Sequence, residues 1–403
     1  MTADFDELFN FAGATAVSHR RPCILLVSHE ASRTGAPYAL LYLADALQKL
    51  DRFDVRILTQ FGGPLVDDFA RVAPLCVATE HCGRLGIGSA DFAAVVAARF
   101  ASLRPRGLAL CNTVALPEYN DAFMRAGVDL LTWIHELPAF FDAPTMELIA
   151  HSSKHIGIYS EWNRAHFTGR YEIPADKLVI VPPTLPYLAA ATTTPEERRA
   201  ARQAVGVPED ALMVLGVGYL HLIKGIDLFV QIAARCRRML SPADERRLVF
   251  CWIGGESDPI TRRVILSDIA ALGLSEVVSL PGLQADPWPW YRAADVLACT
   301  SRWEAMGLSV LEGMSSGLPV VTFARTGASR FVANGAGSVV PLLDIEQFSA
   351  GVASYLNAPI LRAQAGETGH HRVRQAFGDG KLPQGLMSVI DKLSVDQRSV
   401  ETA

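Results

Sequence analysis

Short apolar runs alternate with amphipathic stretches along most of the chain. Cys23 to Val27 is apolar and ends in a loop, Ser28 to Pro37, before a helical pattern from Tyr38 to Leu50 and a second apolar run from Val55 to Thr59. Further strands are predicted at Gly107 to Cys111, Leu130 to Ile134, Ile156 to Ser160 and Leu178 to Val181, with helical segments between them. Such alternation implies a parallel sheet wrapped by helices, because parallel strands need a crossover connection. After Pro182-Pro183-Thr184 the composition turns proline- and threonine-rich, through Pro186 and Thr192-Thr193-Thr194-Pro195, which reads as a linker. A second alternating unit follows, with strands predicted at Met213 to Gly216, Leu248 to Ile253, Val277 to Leu280, Val296 to Cys299 and Val320 to Phe323. The pattern therefore predicts an α/β protein of two doubly wound domains facing a cleft, with ligands at the C-terminal ends of the strands.

Composition narrows this picture. The 403 residues exceed one ordinary core, and half are hydrophobic and a fifth charged, with no biased tract, so two packed globular domains are expected. A net charge of −5 argues against a general nucleic-acid binder. No run of about 18 apolar residues exists, so no spanning helix is predicted. The acidic start, Met1 to Phe11, is unlike a secretory signal. Seven cysteines without a C-x-x-C pair, mostly within apolar runs, read as reduced core residues in cytosol. The mildly positive mean hydropathy leaves room for peripheral membrane contact. Phe92 to Arg106, with Arg99, Arg104 and Arg106, offers either a basic face for it or a plain surface helix.

Candidate chemistry concentrates between Thr300 and Phe323. Ala294 to Cys299 reads as a buried strand, and Leu308 to Ser316 as a short helix capped by Gly317 with Pro319 beyond. Glu304 then lies in the turn and Glu312 on the helix. A helix start exposes unpaired backbone N–H groups and partial positive charge, so a diphosphate fits against Gly307, Leu308 and Ser309. A carboxylate accepts hydrogen bonds from several directions, so one glutamate suits the hydroxyls of a donor sugar and the other those of a ribose.

Pro281-Gly282 precedes this segment, Ala294-Asp295-Val296 leads in, and Gly317-Leu318-Pro319-Val320-Val321 leads out. Together they resemble the E-x7-E motif of retaining GT-B glycosyltransferases of family 4 (glycosyltransferase group 1), and the resemblance runs from Ile24 to about Leu356. It implies the GT-B fold, with an acceptor-side Rossmann-like domain at 1–185 and a donor-binding one at 186–376. The tail, 377–403, would carry a helix from Lys381 to Leu393 that crosses back to the first domain. The co-substrate implied is a nucleoside diphosphate sugar, with no metal or other cofactor. The implied acceptor is a glycan or lipid-linked saccharide, met in the cytoplasm or at the inner membrane's cytoplasmic face.

The same resemblance assigns further residues. Gly218-Tyr219-Leu-His221-Leu-Ile-Lys224-Gly225-Ile-Asp227-Leu-Phe229 looks like the family's donor-phosphate loop, whose lysine neutralises the leaving diphosphate; a solvated lysine is the plain alternative. Many relatives place an arginine shortly before that lysine, but 218–223 contains none. Tyr219 and His221 stand there, and Arg302 or Arg325 would have to supply the charge from another loop. Gly282 and Leu283 match the backbone that meets the nucleobase. Met306, Gly307 and Leu308 complete the donor side with Glu304 and Glu312.

In the first domain, His135, past an apolar strand, resembles the catalytic-loop histidine, with orientation the role favoured over obligatory base catalysis and a satisfied structural histidine as the alternative. Glu136 either acts electrostatically beside a developing oxocarbenium or caps a turn. Gly35 lets the backbone of its loop approach diphosphate and acceptor. His29, Arg33 and Asn112 are expected on the acceptor side, against plainer readings as solvated or turn-forming residues. Asp4-Phe-Asp6 and His370-His371 read as surface features rather than metal ligands. Glycosyl transfer is thus the predicted reaction. A nucleotide-sugar 2-epimerase, which needs no acceptor, and an inactive scaffold subunit are the alternatives.

Overall fold

In the computed structural model, residues 5–9, 21–103, 107–137, 141–171, 173–185, 188, 192–256 and 258–401 are described. Arg104 and Arg106 of the expected basic face, Asp4, and part of the proline- and threonine-rich stretch lie outside them. The chain divides into two compact units, Met1–Pro186 with Asp379–Ala403, and Tyr187–Gly378.

The first unit holds β1 (Cys23–Ser28), β2 (Asp54–Thr59), β3 (Leu75–Val77), β4 (Leu108–Cys111), β5 (Leu130–Trp133), β6 (His155–Ile158) and β7 (Leu178–Ile180). They form one parallel sheet in the order β3-β2-β1-β4-β5-β6-β7. The order reverses direction between β1 and β4, which is the switch point where ligands enter such sheets. β1 and β4 are buried along their whole length, as central strands covered on both faces must be. The helix Gln384–Glu401 closes this unit: Gly385 lies so near β7 that a Cβ there would sit 2.2 Å from the Ile180 carbonyl oxygen. It starts three residues later than Lys381, because Pro383 disfavours helical geometry at Leu382.

The second unit holds β8 (Leu212–Val217), β9 (Leu248–Ile253), β10 (Val278–Gly282), β11 (Val296–Cys299), β12 (Val320–Phe323) and β13 (Gly337–Val340). Its parallel sheet runs β10-β9-β8-β11-β12-β13, so the switch point lies between β8 and β11. Its core gathers Phe229, Phe250, Trp252, Phe323 and Phe348 against one face of the sheet, where Phe229 meets Phe250 and Trp252 and Phe348 meets Phe323. Thr194, read above as linker, instead starts the helix Pro195–Val205. Its hydroxyl accepts from the Glu197 amide at 3.2 Å while the Glu197 carboxylate accepts from the Thr194 amide at 2.8 Å.

Six of the seven cysteines are buried, and Cys82 is partly so. Among the described residues no single helix is long and apolar enough to cross a membrane. Arg99, from the expected basic face, has one guanidinium nitrogen buried rather than offered to solvent.

Candidate active site

In the second unit, the loops that leave β8 and β11 meet at the switch point and are tied together through their backbones. The Arg302 amide donates to the Ile223 carbonyl at 2.8 Å, and Thr300 Oγ1 donates to the carbonyls of Lys224 and Gly225 at 3.1 and 2.8 Å. Gly225 makes this approach possible. Its φ is +75°, and a Cβ there would sit 2.0 Å from the Thr300 carbonyl oxygen. The result brings Lys224 and Glu304, eighty residues apart in sequence, into an ion pair of 2.5 Å. Burial pulls the ammonium toward its neutral form, but the charge and hydrogen bond of Glu304 outweigh that effect and raise its pKa above the ordinary lysine value.

Helix Leu308–Ser315 begins beside this pair. Its N-cap, Gly307, has φ +82° and no side-chain cap; the Val310 amide donates to the Gly307 carbonyl at 3.0 Å, while the Leu308 and Ser309 amides, which precede it, receive no capping oxygen. Met306, just before the cap, is buried. Glu312 lies one turn into the helix, and its Oε2 accepts from the buried Tyr291 hydroxyl at 2.6 Å, which sets the carboxylate's direction. Arg302 is bidentate on Asp227, at 2.8 and 2.7 Å, and also donates to the Leu222 carbonyl at 2.5 Å. Its charge is therefore neutralised in a clasp between the two loops. At the ends of β9 and β10, the Tyr219 ring lies against Gly255, Gly282 has φ +84°, and Leu283 is exposed. His221 Nδ1 accepts from the Ile223 amide at 3.1 Å.

In the first unit, His135 follows β5 and is held at both ring nitrogens. Asn112 Nδ2 donates to the Ala36 carbonyl at 2.8 Å, so its Oδ1 is the acceptor that faces His135 Nε2 at 2.7 Å. Nε2 then carries the proton, and Nδ1 accepts from the Tyr159 hydroxyl. Burial pushes the imidazole pKa down to about 3, so the ring is neutral at physiological pH. This arrangement suits an orienting group, since no lone pair is left to take a proton. Asn112, expected to meet sugar hydroxyls, is itself buried and has both amide groups engaged, so it positions His135 instead.

Glu136 has a buried Oε2 with no partner among the described residues, and burial raises its pKa. In the loop after β1, Arg33 is exposed, His29 lies 3.6 Å from Glu30, and Gly35 opens the helix Gly35–Lys49. His370 Nδ1 is 2.7 Å from the Ser315 carbonyl oxygen, with which it hydrogen-bonds. Sequence reasoning assigned no role to Tyr291, Asp227, Tyr159 and Thr300, which orient the residues it found. None of the four stands in a spacing that announces such a role.

A neutral orienting histidine should register in the pH dependence of stability. An unfolded imidazole protonates below about pH 6.5, whereas His135 in the fold resists protonation until about pH 3. Its contribution is therefore complete above the upper value and lost as pH falls toward the lower one. Denaturant titrations of the wild type and His135→Asn should show a stability difference that shrinks between neutral pH and about pH 5. A pH-independent difference would contradict the assigned tautomer and charge.

Residues 197–372, nearly the whole of the second unit, match the family model described as glycosyl transferases group 1. The second unit belongs to that family. The chain is similar to D-inositol 3-phosphate glycosyltransferase from Thermobispora bispora, with 32% identity over 193 residues, 47% of this chain and 44% of the relative. The chain spans about half the length of the curated relatives it matches. Among solved structures, HepE from Anabaena, crystallised with UDP and glucose, superposes with a TM-score of 0.79 at 20% identity, covering 92% of this chain and 100% of that one. WaaG, a glycosyltransferase involved in lipopolysaccharide biosynthesis, superposes with a TM-score of 0.70 at 19% identity, covering 91% and 99%. The chain thus has the GT-B architecture of two Rossmann-like domains.

Proposed function

We propose that the chain is a retaining glycosyltransferase that moves a sugar from a nucleoside diphosphate donor to a hydroxyl of a glycan or lipid-linked acceptor, in the cytoplasm or at the cytoplasmic face of the membrane. The observation that carries this reading is the Lys224–Glu304 pair, which lies at a sheet switch point beside the uncapped helix start at Gly307. Each partner is matched to one part of a sugar nucleotide. Binding of donor exchanges the pair: Lys224 turns to the diphosphate and Glu304 accepts hydroxyls of the donor sugar, while Glu312 accepts from the ribose. Breaking the bond from the anomeric carbon to the diphosphate oxygen builds negative charge that Lys224 and the Leu308 and Ser309 amides stabilise. The acceptor oxygen bonds to the anomeric carbon from the same face, and its proton passes to the departing phosphate. No side chain has to form a covalent intermediate, and the reaction needs no metal. His135, neutral and held at both nitrogens, orients rather than exchanges protons.

HepE has also been crystallised with UDP-glucose, which makes uridine nucleotides the first to try. A thermal-shift screen across nucleoside diphosphates and their sugars should find a ligand that, at about one hundred times its dissociation constant, stabilises by roughly 2.7 kcal/mol. Glu312→Ala should reduce that shift. A protein stabilised by none of these nucleotides would contradict the reading, and one that consumes the donor without any acceptor would point to epimerisation instead.

A further inference from the structure

The loops after β8, β11 and β12 carry three lysine or arginine side chains: Lys224, Arg302 and Arg325. Two are already neutralised, Lys224 by Glu304 and Arg302 by Asp227. Glu312 adds a further carboxylate, so these two ion pairs and Glu312 together give the site no net positive charge. A diphosphate carries more negative charge than Lys224 alone can balance once it leaves Glu304.

Arg325 is placed differently. It is exposed, it pairs with no carboxylate among the described residues, and its guanidinium carbon lies 5.6 Å from the centre of the Trp303 ring. Its loop is fastened to the turn that carries Glu304: Glu304 and Thr326 form a parallel bridge, and the Gly327 amide donates to the Glu304 carbonyl at 2.9 Å. We infer that Arg325 supplies the second positive charge for the donor's diphosphate, an assignment that rests on the donor-site reading above. The ring of Trp303 holds the guanidinium near the site without using its fork of N–H donors. An exposed ring contact is weaker than a charge-assisted bidentate bond to phosphate, so an arriving anion displaces it. Arg302 cannot take this role without breaking the clasp between the two loops.

Calorimetric titration of UDP, inorganic pyrophosphate and uridine against the wild type, Arg325→Ala and Arg325→Lys tests this. Arg325→Ala should weaken UDP and pyrophosphate by roughly 10- to 100-fold, leave uridine unchanged, and keep the unliganded melting temperature, since the side chain is exposed. Arg325→Lys should recover part of the loss. Unchanged UDP and pyrophosphate affinity in Arg325→Ala would overturn the assignment while leaving the donor site intact. An equal loss for uridine would overturn it too, by showing a general disturbance of the pocket. A wild type that binds neither UDP nor pyrophosphate would remove the donor site, and this inference with it.

Discussion

Lys224→Ala should lower kcat/KM for the donor roughly 100- to 1,000-fold, the scale seen when one preorganised transition-state donor is removed. The loss follows from what the ammonium does in each state. In the protein without donor it neutralises Glu304 at 2.5 Å, and in the proposed reaction it would meet charge that grows on the departing diphosphate. Because the second interaction strengthens toward the transition state, most of the loss should fall on kcat rather than KM. Lys224→Arg should not restore full activity, since a planar fork does not replace a compact ammonium in this position. The fold should survive the alanine change, because the lysine side chain is about a third exposed, at 32%. Release of nucleoside diphosphate from the donor, in the presence of acceptor, is the measurement. A variant within about twofold of the wild type would contradict the role.

Asp295→Ala should destabilise the second unit by about 3–5 kcal/mol. Asp295 is 2% exposed and receives hydrogen bonds from Arg198, Arg202 and the Met213 amide at 2.5, 2.8 and 2.8 Å, with Arg362 at 3.3 Å. Arg202 is itself 4% exposed, and burial lowers its pKa against the pull of Asp295. Removing the carboxylate leaves that guanidinium buried beside two others with nothing to balance it. Equilibrium denaturation of the variant gives the number directly. A loss below about 1 kcal/mol would mean that water or a relaxed side chain takes over the charge.

The strands were legible where the chain is apolar on both faces. The predicted ranges at Leu248 to Ile253, Val296 to Cys299 and Val320 to Phe323 coincide with β9, β11 and β12. β3 and β13 were not legible. Both are edge strands, three and four residues long and only partly buried, so neither shows a period that stands out from a loop. The spacing of Glu304 and Glu312 and the lysine after a glycine loop were readable because each lies within one strand, turn and helix. The partners that orient them were not, because they come from far along the chain: Asp227 lies 75 residues from Arg302, and Tyr159 lies 24 from His135. Asp295 was visible as part of Ala294-Asp295-Val296, but its task, holding three arginines, exists only once the helices Pro195–Val205 and Pro359–Phe377 have packed. Arg302 illustrates the same limit. Its position two residues before Glu304 marked it as a free cation, and only the fold brings Asp227 against it.

Hydrogen exchange in the presence and absence of saturating UDP tests the donor site most directly. Slower exchange is expected in peptides covering 218–226 and 304–312, where the proposed site would set the amides of the loop and of the helix start against the diphosphate and ribose. Bound UDP that leaves both peptides exchanging at their unliganded rates would contradict it.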